Sequence, residues 1–168
     1  MSDVSTNIRI VTIGAYGFTA ETFFAALRRT QVDTFCDLRY RRGVRGSEYA
    51  FANRQRLEQR LAELGIRYLH FRELAPDPAL RRLQSDADKA ERTTKRQRNV
   101  LSPPFVEAYL ARYLAGFDSR AFIQSLGPTT RVAALFCVER APEACHRSLV
   151  AQRLQEDLGL AVEHLLPE

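Results

Sequence analysis

The stretch Arg131–Leu166, RVAALFCVERAPEACHRSLVAQRLQEDLGLAVEHLL, contains the pattern that decides the fold. Its apolar run Val132–Val138 has the length of a strand and the near-continuous hydrophobicity of a strand buried on both faces. The segment Cys145–Gly159 is predicted to contain a helix, and Leu160–Leu166 is predicted to be the last strand. A strand, a helix and another strand in succession indicate a parallel sheet.

The chain before this stretch repeats the same alternation. Three strands are predicted at residues 8–17, 32–39 and 66–71, and two helices at residues 20–30 and 53–65. Thr19 is suited to cap the first helix, and Gly65 to end the second. We therefore expect an α/β fold, a three-layer α/β/α sandwich with a mainly parallel sheet of about five strands and right-handed crossovers. Residues 1–168 are predicted to form a single domain.

The segment from about residue 75 to 126 departs from this alternation. Between Arg81 and Arg98 it carries seven basic and three acidic residues. An amphipathic pattern follows, with Phe105, Tyr109 and Tyr113 at four-residue steps. Long structureless loops are uncommon in compact domains, so we expect a helical, basic insertion or a mobile flap before the fourth strand. Its charges are expected to face solvent unless they bind nucleic acid.

Composition bounds the class of protein. The 168 residues are 45% hydrophobic and 27% charged, with a net charge of +5 that is almost entirely due to arginine. This favours anionic partners, either a small molecule or nucleic acid. No apolar run is long enough to cross a bilayer and no secretory signal opens the chain, so we expect a cytoplasmic protein with reduced cysteines. The sequence identifies no cofactor and no oligomeric state.

Most residues capable of chemistry follow the predicted strands. Parallel sheets bind ligands at the carboxyl ends of their strands, so these side chains are expected to meet at one edge. The set comprises Gly14, Asp37, Arg39, His70, Cys137, Glu139, Cys145, His146 and Arg147.

An arginine-rich loop, RYRRGVRG, follows the second strand. Arg39, Arg41, Arg42 and Arg45 supply forked donors that suit phosphate, and the glycines between them permit close approach to a ligand. The alternative is an ordinary exposed loop whose arginines pair with nearby acids.

The Cys145-His146-Arg147 segment allows four interpretations. The first turn of a helix together with Arg147 would hold an anion. The same features would lower the pKa of Cys145 and make it a nucleophile. Cys137, Cys145 and His146 could bind a metal, although the spacing C-x7-C-H matches no standard zinc pattern. Alternatively, the two cysteines are small buried hydrophobic residues beneath a helix start.

Two carboxylates complete the candidate set. Asp37 and Glu139 are candidates for general acid or base, with ion pairing to Arg39 as the alternative for Asp37. We therefore expect a pocket for a phosphate-bearing ligand, a nucleotide or a nucleic-acid end, with hydrolase or transferase chemistry conceivable. The alternatives are a non-enzymatic nucleic-acid adaptor that uses residues 81–98, and a metal-binding protein.

Four segments together resemble a known bacterial and archaeal family. They are TIGAYGFTAETFFAAL, DLRYRRGVRGSEYAFAN, LGIRYLHFRELAP and the stretch from LFCVERAPEACHRSLVAQRL to VEHL. They resemble the family catalogued as domain of unknown function 488, over Ile10 to Leu165, and its arginine-rich branch in particular. Where the family usually has Thr-Ile-Gly-His, this chain has Ala15 in the histidine position. If that histidine acts chemically, its absence either weakens an enzymatic interpretation of this chain or shifts the role to His70.

The resemblance implies an α/β sandwich with a pocket at one edge, and the family's activity is unassigned. The matching positions are Gly14, Asp37, Arg39, Cys137, Glu139, Cys145, His146 and Arg147.

Overall fold

The computed structural model describes residues 7–168, and its centre is a five-stranded, entirely parallel sheet. The strands are β1 (Arg9–Ile13), β2 (Thr34–Asp37), β3 (Arg67–His70), β4 (Val132–Phe136) and β5 (Val162–Leu165). They lie in the order β3-β2-β4-β1-β5. The predicted five-stranded α/β architecture is confirmed.

Within the described residues, six α-helices cover the sheet. They are α1 (Ala20–Arg29), α2 (Arg54–Glu63), α3 (Pro78–Ala90), α4 (Pro103–Tyr109), α5 (Ser119–Ser125) and α6 (His146–Leu158). Helices α1 and α2 pack with one face of the sheet in a core that includes Phe23 and Phe35. Helices α3 to α6 pack on the other face, around Ile10 and Leu135.

The predicted helix boundaries have local causes. Thr19 caps α1, because its hydroxyl accepts a hydrogen bond from the Thr22 backbone and the Thr22 side chain accepts one from the Thr19 backbone. Gly65 follows α2 with φ of +72°, a conformation that glycine adopts without steric strain.

The insertion before β4 is helical, as predicted. It contains α3, α4, a π-helical turn at Leu110–Leu114 and α5. The stretch between α3 and α4 returns to the carboxyl edge of the sheet, where the Leu101 backbone N–H donates to the Glu143 carbonyl. The insertion therefore contributes residues to the edge at which the candidate site lies.

The topology places a switch point beside β4. Its neighbour β1 leads into α1 on one face of the sheet, whereas β4 leads into α6 on the other face. Chains that leave adjacent strand ends in opposite directions open a crevice between them, which is where ligands bind in sheets of this kind. Among residues 7–168, no helix has the length and apolar character needed to span a membrane.

Candidate functional site

The ends of β2 and β4 and the start of α6 meet at the carboxyl edge of the sheet. The His146 Nε2 donates to the Leu38 carbonyl at 2.9 Å, and the Leu38 backbone N–H donates to the Phe136 carbonyl at 2.9 Å. Leu38 lies between Asp37 and Arg39, so segments more than one hundred residues apart in sequence are in direct contact here.

Two cysteines and one histidine form a buried cluster at this edge. Cys137 directly follows β4, Cys145 occupies the N-cap position of α6, and His146 is the first residue of that helix. Their donor atoms all lie within 4.8 Å of one another, and the Cys145 Sγ is 3.8 Å from the His146 Nδ1. The residues are 6%, 1% and 5% exposed, respectively. We call this group the Cys-His cluster.

The hydrogen bond to Leu38 determines which nitrogen of His146 is available. A backbone carbonyl only accepts hydrogen bonds, so Nε2 must carry a proton. In the neutral imidazole, Nδ1 is then the nitrogen that presents a lone pair towards the cysteines. Burial works to lower the pKa of His146, but interactions with Cys137 and Glu139 outweigh it and raise that pKa.

The thiol of Cys137 is held in its protonated form when no cation is present. A hydrogen bond with Cys145 and burial both raise its pKa, and the nearby charge of Glu139 adds to the effect. Cys36 is buried within β2 and packs in the core around Ile10 and Leu135, whereas Cys137 and Cys145 belong to the core around Phe23. Of the three cysteines, only Cys137 and Cys145 therefore meet.

Glu139 is a buried carboxylate beside the cluster. Its Oε1 accepts a hydrogen bond from Arg98 at 3.0 Å and lies 3.8 Å from the Lys95 ammonium. Burial works to raise the pKa of Glu139, but the charges of Lys95, Arg98 and His146 lower it to about 2. The carboxylate is therefore ionised at neutral pH.

Arg98 connects the insertion to this carboxylate. The guanidinium also donates to Asp88 at 2.7 Å and to the Ala144 carbonyl at 3.0 Å, and it is buried. Sequence reasoning missed Arg98, Asp88 and Lys95 as site residues, because the segment was expected to face solvent. No local pattern distinguishes Arg98 from its exposed neighbours.

Asp37 and Arg39 form a fully buried ion pair. Arg39 donates through Nε to Oδ1 and through NH2 to Oδ2, both at 2.9 Å, and its backbone N–H donates to Oδ1 at 3.1 Å. Tyr68, which the sequence analysis also missed, donates to Oδ2 at 2.6 Å. Asp37 is thus surrounded by four donors, which is the ion-pairing arrangement that the sequence analysis gave as its alternative.

Arg147 is completely buried and binds backbone carbonyls. Its NH1 donates to the Glu139 carbonyl at 2.6 Å and its NH2 to the Arg140 carbonyl at 3.2 Å. Gly14 lies against the same loop, since a Cβ at Gly14 would collide with the Glu139 backbone. These two residues hold the loop between β4 and α6 in place.

The remaining predicted residues lie around the edge of the site. Arg41 and Arg45 are exposed, whereas Arg42 is half-buried and 3.5 Å from the Tyr68 hydroxyl. The His70 Nε2 donates to the Arg39 carbonyl at 2.8 Å, so His70, at the end of β3, holds the first residue of the arginine-rich loop in place.

Unpartnered polar atoms are concentrated at this edge. Within residues 7–168, three buried side-chain nitrogen or oxygen atoms have no hydrogen-bond partner: Arg39 NH1, Glu139 Oε2 and Arg147 Nε. All three belong to the residues described above. Buried polar groups are normally satisfied, and exceptions call for a bound ion, water or ligand.

A separate hollow of about 400 Å³, lined by residues 115–120 with Asp157 and Leu158, lies at the opposite edge of the sheet and contains none of these groups.

Comparison with protein families identifies the family of the chain. A family model described as a domain of unknown function, DUF488, matches residues 19–154 and so includes Asp37, Arg39 and the Cys-His cluster. No curated protein and no solved structure matches the chain.

Proposed function

Given that the chain belongs to the DUF488 family, for which no function is assigned, we propose from the geometry of its site that it binds a transition metal, zinc in the first instance, through the Cys-His cluster. The observation that carries this proposal is the convergence of two thiols and one imidazole nitrogen within 4.8 Å in a buried environment. Thiolate and imidazole donors together suit zinc.

The surroundings of His146 support the same function. Histidines that bind metals usually donate their second ring N–H to a carbonyl or carboxylate, which fixes the tautomer and the orientation of the ring. His146 has this arrangement, with Nε2 directed to the Leu38 carbonyl and Nδ1 towards Cys145.

Glu139 is a candidate for the fourth ligand, although its carboxylate oxygens are not among the donor atoms that lie within 4.8 Å of one another. It follows Cys137 by two residues, and its Oε2 is buried without a hydrogen-bond partner. Structural zinc sites are closed by four protein ligands, and a carboxylate oxygen is an accepted member of such a set. A metal would give Oε2 a partner, and it would displace the protons of both thiols.

Metal content is measured directly on protein purified under reducing conditions without metal-chelating resin. We expect about one zinc ion per chain by elemental analysis. Cys145→Ala should lose most of this metal, whereas Cys36→Ala, which removes an equally buried thiol outside the cluster, should retain it.

Cobalt substitution tests the ligands without a mutation. Cobalt bound to the wild-type chain should produce thiolate-to-metal charge-transfer absorption and intense visible bands of tetrahedral coordination. A wild-type protein that neither contains metal nor gives thiolate bands with cobalt would rule out the proposal. Equal metal loss in the Cys36 and Cys145 variants would also contradict it.

A phosphate-bearing ligand, the function favoured by the sequence, is the second candidate. One observation favours it: Arg39 has a buried nitrogen with no acceptor, beside a loop that also carries Arg41 and Arg45. Two observations reduce its support as a catalytic site, because Arg147 binds carbonyls and Asp37 is surrounded by donors. A nucleotide screen by thermal shift would detect such a ligand as a saturable rise in melting temperature.

The adaptor alternative receives less support. Arg98 is buried against Glu139 and Asp88, so it is not available to a nucleic acid on the surface of residues 81–98. Phosphate-dominated binding through the remaining charges would fall steeply with salt. A cytoplasmic location, expected from the sequence, would keep Cys137 and Cys145 reduced and available to a metal.

A further inference from the structure

Arg39 has one side of its guanidinium fully occupied and the other side without a partner. Nε and NH2 donate to Asp37, whereas NH1 has no acceptor although the residue is only 4% exposed. NH1 carries two N–H groups, so both are removed from bulk water without a hydrogen bond in return. An unsatisfied buried donor destabilises the fold, and more so where the group is charged.

Neither neighbour of the guanidinium can satisfy NH1. Arg39 lies over the Phe136 ring at 4.8 Å from the ring centroid, a cation–π contact that uses the face of the guanidinium. The N–H bonds point outward in the guanidinium plane and require an acceptor in that plane. Asp37 cannot serve, because both of its oxygens accept on the Nε and NH2 side and one also accepts from Tyr68.

The direction of NH1 is fixed before any ligand binds. The two-bond contact with Asp37 and the packing over Phe136 hold the guanidinium in one orientation. A donor held in this way loses little conformational entropy when it binds an acceptor, which increases affinity.

The charge around Arg39 is positive on balance. Tyr68 donates to Asp37 and accepts from Arg42, so Asp37 is the carboxylate close to both guanidiniums, and Glu58 also acts on Arg42. Arg41 and Arg45 are exposed in the same loop. A neutral acceptor would satisfy the hydrogen bonds of NH1, but only an anion would also balance this charge.

We propose that NH1 of Arg39 anchors an oxyanion subsite that takes a phosphate group, either free or as the terminal group of a phosphate monoester. The proposal deepens the phosphate candidate of the preceding subsection and does not depend on the metal. A phosphate oxygen in the guanidinium plane would accept from NH1.

The test is titration with inorganic phosphate, followed by thermal shift and calorimetry at constant ionic strength. Wild-type protein should show saturable binding, and Arg39→Lys should weaken it about tenfold or more, since lysine keeps the charge but loses the planar fork. The matched control is Arg153→Lys. Arg153 also pairs with an aspartate, Asp157, but it lies about two turns into α6, away from Arg39. Phosphate affinity should be unchanged in this variant.

A second titration with adenosine monophosphate distinguishes the two sources of phosphate. Tighter binding of the nucleotide would identify a phosphate ester as the ligand, and equal binding would identify the free anion. Absence of saturable binding to either compound, or wild-type phosphate affinity in Arg39→Lys, would overturn the proposal.

A measurement on the wild-type chain tests the proposal even if the Arg39→Lys variant does not fold. In a nitrogen-15 spectrum of the arginine side chains, phosphate should shift a buried guanidinium resonance; if only exposed guanidiniums respond, the proposal fails. Zinc content measured on the same samples separates the two sites. Loss of phosphate binding with normal zinc content would confirm that the subsite is independent of the Cys-His cluster.

Discussion

Replacing Gly14 with alanine distinguishes a ligand-contacting glycine from a packing glycine. Gly14 directly follows β1 and faces the loop between β4 and α6. An added Cβ would lie 2.8 Å from the Glu139 carbonyl carbon, closer still to its oxygen, and 3.2 Å from NH1 of Arg147. Two of these contacts are with backbone atoms, so rotation of a side chain cannot relieve them.

The expected destabilisation follows from this geometry. Forcing extra atoms into a packed interior costs about 1–3 kcal/mol, and a collision with backbone belongs at the upper end of that range. For a chain of this size each kcal/mol lowers the melting temperature by about 2–4 °C. Gly14→Ala should therefore melt about 6–12 °C below wild type, using the upper figure.

Gly116→Ala is the matched control. A Cβ at Gly116 would have no atom within 4 Å, and Gly116 has no positive φ. There the substitution should be neutral or stabilising by about 0.4–1 kcal/mol, because alanine restricts the unfolded chain. Both variants are measured by thermal and urea denaturation without ligand. Equal stabilities would refute the packing role of Gly14 and return it to the ligand-contacting residues predicted from the sequence.

Two further predictions concern the acid and the thiols of the site. In metal-free protein, the pKa of Glu139 is lowered from 4.5 to about 2. The ionised carboxylate therefore stabilises the folded state by about 3 kcal/mol above about pH 4.5. This stabilisation is lost as the pH falls towards 2. Glu139→Gln should therefore flatten the urea-denaturation profile across that interval; a profile parallel to that of wild type would contradict the ion pairing with Arg98. After chelation of metal, iodoacetamide should modify Cys145 faster than Cys36, whose pKa is raised by burial, and added zinc should slow the reaction at Cys145. Equal slow rates, unaffected by zinc, would remove Cys145 from the reactive groups.

The sequence was sufficient to predict the class of fold, because apolar runs and helix-boundary residues are local signals. The run Val132–Val138 is buried over β4, and Thr19 and Gly65 act at helix boundaries as their residue types suggest. The strand order could not be predicted from such local signals, because β4 lies between β2 and β1 through contacts between segments far apart in sequence. No short pattern specifies which strand lies in the centre.

The site was predictable in its location but only partly in its roles. Strand ends identified Asp37, Glu139 and the Cys-His cluster, since parallel strands place their carboxyl ends together. The partners of those residues depend on tertiary packing. Arg98 arrives from the insertion to bind Glu139, and Arg147 turns towards carbonyls rather than solvent. An arginine has the same appearance in sequence whether it binds a ligand, an acid or a backbone.

The position of the cluster follows from how the loop between β4 and α6 is held. Cys137 and Cys145 are eight positions apart, and a free loop of that length would sample many separations of its ends. Here Arg147 binds the carbonyls of Glu139 and Arg140, and the turn Pro142–Ala144 compacts the rest of the loop. Arg147 is therefore a positioning residue for the two thiols. A completely buried guanidinium beside the two thiols therefore has a structural role, because it holds the loop that carries them in one conformation.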